Sequence, residues 1–179
     1  AKGIICPLIN TVEDCQKFLD SCFYPPKGIR SFGPTISAIN DTKYFYNSKI
    51  ETTPIIMLET RESVTNLSEI LKLKLLEVIY VGPFDLSISY GKSPDTIFCD
   101  NEMKKKYKDI LRKVKKAKKI AAIHCVSADT AIFFLKMGYD FVTLSTDMGL
   151  LKKSLEVEQQ KLVNHIKKFW FNSCWHQIS

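Results

Sequence analysis

Val78-Ile79-Tyr80-Val81-Gly82-Pro83-Phe84-Asp85 opens with four consecutive β-branched or aromatic residues and breaks at Gly-Pro before an acidic residue. A short run that is apolar on both faces is a strand covered on both sides, the parallel kind that lies between layers of helix. Working outward from a strand over 77–82, the same pattern recurs over 2–9, ended by Asn10, and over 54–59, 120–126 and 140–145. Each run is followed by a segment with apolar residues at helical spacing. Asn10-x-x-Glu13 reads as a capping box for a helix with Val12, Cys15, Leu19 and Cys22 on one face. A second helix over about 61–71 turns Val64, Leu67, Ile70 and Leu71 inward. Asp100 caps a third with Met103, Tyr107, Ile110, Val114 and Ala117, Ser127 starts a fourth that Gly138 ends, and a last one runs from about Met148 to Phe169.

Five such units define an α/β protein with a parallel sheet. An open doubly wound sheet and a (β/α)8 barrel both fit the alternation; a whole barrel takes about 250 residues, so five units would be an incomplete one. Tyr24-Pro25-Pro26-Lys27-Gly28 stops the first helix, and residues 29–51 read as a long loop with room for one short helix.

Composition bounds the function classes. The chain has 179 residues with 45% hydrophobic and 25% charged content, the profile of one globular domain. Its apolar runs are far shorter than the ~20 residues that cross a bilayer, so no membrane role is expected. The net charge is +7, but ten Lys and Arg against one Asp lie between Lys104 and Lys119, a local +9 that leaves −2 elsewhere. No aromatic residue is interleaved on that charged face, which favours a solvated outer helix over a nucleic-acid grip. Six cysteines without a C-x-x-C pair sit partly in apolar segments and read as reduced thiols of a cytoplasmic chain. The sequence opens on Ala1 with no signal-peptide pattern visible, so it reads as a fragment.

Glu59 and Asp85 stand at or just past the ends of consecutive buried strands, the edge where parallel α/β folds carry their sites. Two converging carboxylates there hold a hard divalent cation, or else they cap the helices that follow; spacing leaves both readings open.

Leu58-Glu59-Thr60-Arg61-Glu62, then Asn66-Leu67, then Val81-Gly82-Pro83-Phe84-Asp85-Leu86-Ser87 resembles the HpcH/HpaI aldolase/citrate lyase family. The likeness runs from Cys6-Pro7-Leu8-Ile9-Asn10-Thr11 and Tyr24-Pro25-Pro26-Lys27-Gly28-Ile29-Arg30 to Ala122-Ile123-His124-Cys125, Gly138-Tyr139-Asp140-Phe141-Val142 and Ser145-Thr146-Asp147, over residues 2 to about 155. It implies the C-terminal five units of a TIM barrel of the phosphoenolpyruvate/pyruvate-binding type, over residues 1–169, with 170–179 an unassigned tail. It also implies a class II aldolase that needs Mg, Mn or Co and cleaves a 4-hydroxy-2-oxo acid to pyruvate and an aldehyde.

By that resemblance Glu59 and Asp85 match the metal ligands, and Gly82, Pro83, Phe84 and Asp85 the segment whose amides hold the substrate carboxylate. The metal would chelate pyruvate through its keto and carboxylate oxygens and stabilise the enolate. Met57 stands where some members carry a substrate-contacting Gln. The acid/base His, the Asp that tunes it and the enolate-stabilising Arg belong to strands that precede Lys2. The catalytic residues are therefore expected upstream of Ala1 and none within the chain, which should be inactive alone. A full-length form is expected to be a homo-oligomer acting on a small 2-oxo acid, without nucleic acid. The alternatives are a CoA-thioester lyase of the citrate lyase β type and a non-catalytic basic binding module. His124 points either into the barrel mouth or into the sheet–helix layer, and a structural role is the expectation; His165 and His176 have no chemical context, and Arg30 reads as a structural ion-pair residue.

Overall fold

The computed structural model describes residues 1–33, 35–40, 43–44 and 52–175, with the side chains of 37, 38 and 170–175 excepted. Most of the loop expected over 29–51 falls outside them, as do His176 and the end of the tail. The elements in order are β1 (Gly3–Cys6), α1 (Val12–Cys22), α2 (Thr35–Asn40), β2 (Thr53–Leu58), α3 (Arg61–Ile70), β3 (Val78–Val81), α4 (Pro83–Ser89), α5 (Asn101–Lys116), β4 (Ile120–Cys125), α6 (Ala128–Met137), β5 (Phe141–Leu144) and α7 (Asp147–Trp175). The five strands form one sheet in sequential order, and β1 through β4 pair in parallel. The sheet curls through 192° into a half-barrel. The expected α/β class and partial (β/α) barrel are therefore present.

The chain falls into two compact units, residues 1–143 and 144–179. In the first, alternate strand residues serve two layers. Ile56, Leu58, Ile79, Val81, Ala121, Ile123 and Cys125 pack outward with the inner faces of α1, α3, α5 and α6 in the main core. Val78, Tyr80 and Ala122 form a smaller cluster on the concave face, with Ile55 and Met57 against it. This division explains why β3 is buried at every position. The second unit is built around α7, which begins after Ser145-Thr146 and runs past the expected end at Phe169.

Local chemistry moves several expected boundaries. Ala1 and Lys2 are exposed and lie ahead of β1, which starts at Gly3. β1 stops at Cys6 instead of reaching Ile9, because Pro7 has no N–H for the ladder and Leu8 turns into the left-handed region at φ 56°. The box on α1 belongs to Thr11 and Asp14, not to Asn10 and Glu13. Asn10 is used elsewhere: its side-chain oxygen accepts from the Thr60 hydroxyl at 2.5 Å and its carbonyl accepts from the Asn66 amide at 2.9 Å. On α3, Ser63 takes a buried place and Val64 is only partly covered. The polar connection after Asp85 contains α4 and a 3₁₀ turn over Pro94–Thr96, neither of which the periodicity signalled.

Other boundaries hold. The Asp100 carboxylate accepts from the Met103 amide at 2.9 Å, Ser127 closes a capping box on α6, and Gly138 ends α6 at φ 112°. The apolar stripe of α5 buries Met103, Tyr107, Ile110, Leu111 and Val114. Its basic face is laced with acids: Lys106 pairs with Glu102, Arg112 with Asp109 and Lys115 with Asp140. Lys119, just beyond, donates to the carbonyls of Leu73 and Leu76. Arg30 lies 4.7 Å over the Tyr24 ring and donates to the Thr52 hydroxyl at 3.4 Å.

Candidate metal centre and substrate cavity

Parallel register stacks the concave face in levels. Met57 is opposite Tyr80, and Tyr80 is opposite Ala122. Two residues further along each strand, on the same face, lie Glu59, Gly82 and His124. The middle position has no side chain, and a cavity of about 210 Å³ opens there, lined by Met57, Glu59, Tyr80, Gly82, Pro83, Phe84, Asp85 and His124. Every residue that the sequence singled out for metal and substrate thus borders one cavity. Ala1, ahead of β1, does not border the cavity.

Glu59 is 4% exposed and does not cap α3; Thr60 does, through its hydroxyl to the Ser63 amide at 3.0 Å. The Glu59 carboxylate instead accepts the Leu8 N–H at 2.7 Å. The left-handed turn at Leu8 is what aims that N–H, a strained conformation held at a site edge. The other oxygen lies over Gly82: a Cβ built on this glycine would meet Glu59 Oε2 at 2.8 Å and the Met57 sulfur at 3.3 Å. Burial pushes the Glu59 carboxyl above its ordinary range, the Leu8 bond opposes this, and the Asp85 charge adds to the rise. Asp85 sits in the first turn of α4, whose N-cap Gly82 offers no side chain and whose N1 is Pro83.

His124 faces this cavity, not the sheet–helix layer. Its Nδ1 is 2.9 Å from the Thr143 hydroxyl, which is 2.5 Å from the Tyr80 hydroxyl. Burial holds the imidazole below its ordinary pKa, and burial also raises the Tyr80 phenol. The Phe84 ring lies 6.2 Å from the His124 ring, centroid to centroid. Tyr80, Thr143 and the Leu8 amide were not singled out from sequence. Counting inner-face positions along each strand would have grouped Tyr80 with Met57, but the left-handed Leu8 carries no sequence signal.

Among the described residues no group of three or more His, Cys, Asp and Glu side chains could hold a metal ion. The pair Glu59 and Asp85 nonetheless fits a divalent cation of the hard type, which takes one or two protein carboxylates and fills its other positions with water and ligand oxygens. The glycine that makes room for the Glu59 carboxylate and the like charge beside it are the features that suit a cation there.

Carboxylates at the C-terminal strand edge of a half-barrel stand where (β/α) barrel enzymes carry their sites. The chain belongs to the HpcH/HpaI aldolase/citrate lyase family, whose model matches residues 1–154. It is 31% identical over 152 residues to a hydroxypyruvate/pyruvate aldolase of Rhizorhabdus wittichii, covering 84% of this chain and 61% of that one. It is 25% identical over 162 residues to a 4-hydroxy-2-oxo-heptane-1,7-dioate aldolase of Klebsiella pneumoniae subsp. pneumoniae, covering 87% and 60%. The chain therefore spans about three fifths of the length of these curated relatives. A family protein of Burkholderia cenocepacia superposes with a TM-score of 0.81 at 21% identity, covering 90% of this chain and 65% of that one, a likeness of fold.

Proposed function

We propose that this chain forms the metal- and oxo-acid-binding part of an aldolase that cleaves 4-hydroxy-2-oxo acids to pyruvate and an aldehyde. The observation that carries the reading is the buried Glu59 carboxylate, fixed by the Leu8 amide and lodged over side-chain-free Gly82 within reach of the Asp85 charge. Glu59 and Asp85 would hold Mg, Mn or Co. A bound cation of this kind supplies Lewis-acid polarisation of a keto oxygen, which eases carbanion formation at the neighbouring carbon.

The chain's own groups do the rest of the binding. The amides of Phe84 and Asp85, in the uncapped first turn of α4, receive the carboxylate of the oxo acid. Met57, Pro83 and Phe84 border the ligand with apolar surface and limit water around it. The resemblance gives the acid/base His, its Asp and the enolate-stabilising Arg to strands other than these five, so the groups named here bind and position the oxo acid. The free thiols, several of them buried, support a reducing cytoplasmic compartment.

Electron paramagnetic resonance of Mn²⁺ tests the site on the chain as it stands. The wild type is expected to bind Mn²⁺ and to bind it more tightly with pyruvate present. Glu59→Gln or Asp85→Asn should weaken this at least about tenfold, the loss of one of two charged ligands. Equal Mn²⁺ binding by wild type and both variants, or none by the wild type, would falsify the assignment.

A further inference from the structure

We propose that the groove between α3 and α5, on the outer side of the half-barrel, binds a short chain of linked phosphates. This groove shares no residue with the carboxylate cavity and does not depend on the aldolase reading.

Two concavities adjoin there. The larger, about 450 Å³, is bordered by Ser68, Leu71 and Lys72 at the end of α3 and by Lys113, Lys116 and Ala117 at the end of α5. The smaller, about 200 Å³, extends toward Tyr90 and Lys106, and Lys113 borders both. Volumes of this order suit a small molecule. Among the described residues no acidic side chain borders the larger one. Leu71 is buried and Ala117 half-buried, so its floor is apolar, and charges attract more strongly over such a floor than in open water.

Lysines in a last helical turn ordinarily answer the free carbonyls of that helix end. Here the backbone does so. Lys113 O accepts the Ala117 N–H at 3.1 Å, Val114 O the Lys119 N–H at 3.2 Å and Lys115 O the Lys118 N–H at 2.9 Å. The Lys119 ammonium serves the carbonyls of Leu73 and Leu76 instead. Nor are Lys113 and Lys116 neutralised: among the described residues neither makes an ion pair, whereas Lys106, Arg112 and Lys115 of the same helix each do. Lys72 is held by Glu69 at 2.6 Å and brings less charge.

Spacing sets the ligand. Lys113 and Lys116 lie three residues apart on one helix, about 5–6 Å between their Cβ atoms. Two ammoniums so placed, with Lys72 and the Ser68 hydroxyl across the groove, match successive phosphates of a di- or triphosphate. Each ammonium offers three donors on a flexible stem, and phosphate oxygens accept from many directions. A nucleic acid fits less well, because no aromatic ring borders the larger concavity to stack a base. An inorganic phosphate chain and a nucleotide carry the same recognised chemistry.

Isothermal titration calorimetry tests the groove on the 179-residue chain in metal-free buffer, with tripolyphosphate and ATP as separate probes. Salt of about 0.15 M screens diffuse attraction. Tripolyphosphate is expected to bind the wild type. Lys113→Gln with Lys116→Gln should weaken it at least about tenfold, and Lys113→Arg with Lys116→Arg should keep most of the affinity, because charge-assisted bonds remain possible. Lys105→Gln with Lys108→Gln removes the same charge from exposed positions of α5 that border neither concavity, and should change affinity less than about twofold. ATP binding more tightly than tripolyphosphate marks a nucleotide as the source of the phosphate chain, and ATP binding no more tightly marks an inorganic one; either outcome upholds the site. No binding of tripolyphosphate by the wild type, or equal weakening by the two Gln pairs, overturns the proposal.

Discussion

Gly82 shows how much a site can depend on one missing methyl group. Its φ of −94° is open to any residue, so the constraint is steric: a Cβ would press on Glu59 Oε2 at 2.8 Å and on Glu59 Cβ at 3.0 Å. Gly82→Ala is expected to push the carboxylate away from Asp85 and weaken Mn²⁺ binding about tenfold or more, while overpacking destabilises the fold by about 1–3 kcal/mol. Unchanged Mn²⁺ affinity in a folded Gly82→Ala protein would show that the carboxylate does not need this space. Glu59 itself trades stability for binding. Its folded pKa lies above the ordinary 4.5, with burial the largest cause and Asp85 adding to it. A carboxyl with a raised folded pKa supports the fold while protonated and loses that support as pH rises through the folded pKa. Metal-free Glu59→Gln should therefore melt above the wild type at pH 7, by about 2–4 °C if the difference is near 1 kcal/mol, and the gap should close below pH ~4. A calorimetric scan in chelator at the two pH values decides it; a variant that melts lower at pH 7 means the Leu8 bond outweighs burial. Glu59 and Asp85 were legible in the sequence because strand ends in parallel folds are predictable places. The Tyr80–Thr143–His124 set was not, because it depends on which strand face each residue takes across three strands, two of them distant in sequence.

At the level of elements, α3 ties the site to the turn after β1. Thr60 caps α3 through a reciprocal pair with Ser63 and donates to Asn10, and Asn66 on the same helix donates to the Asn10 carbonyl. The turn so anchored is the one that presents the Leu8 amide to Glu59. Thr60→Ala removes the cap and the Asn10 bond together, for which about 1–2 kcal/mol of lost stability is expected. Urea unfolding measures it, and Thr60→Ser should recover most of the loss because the hydroxyl is what acts; a Ser variant as weak as the Ala one would assign the effect to the lost methyl. The sequence located this helix and its length to within a residue, since Leu67 and Ile70 recur at helical spacing and both are buried. It misplaced the cap on α1 by one residue, because Asn10 and Thr11 are both good caps. The choice between them was made by Thr60 and Asn66, some fifty residues away, which claim Asn10 for another use. It also passed over α4, a seven-residue helix too short to establish a period.

Across the whole molecule the unusual quantity is the arc. Five strands sweep 192°, close to the half-circle that four of the eight strand-to-strand steps of a closed barrel span. Of the length of the curated relatives this chain covers about three fifths. Among the described residues β1 and β5 end the sheet, and a parallel edge with free N–H and C=O groups is a template for pairing with another chain. β1 does little to guard its edge: every residue from Gly3 to Ile5 is exposed, Ile4 at 43% and Ile5 at 38%. Apolar side chains also stand open on α6, where Phe133 and Leu135 are exposed. Neither strand carries a Lys or Pro of the kind with which isolated edges are usually blunted, although Lys2 and Pro7 flank β1. The isolated 179-residue polypeptide should therefore associate as its concentration rises, and sedimentation velocity between about 5 and 100 µM is expected to show monomer giving way to larger species. Ile4→Lys places a charge on the exposed edge without touching the buried layer, so it should shift the distribution back toward monomer while Mn²⁺ binding persists. A wild-type chain that stays monomeric throughout this range, or an Ile4→Lys chain that associates as strongly, would mean that the open edge is not the surface through which copies meet.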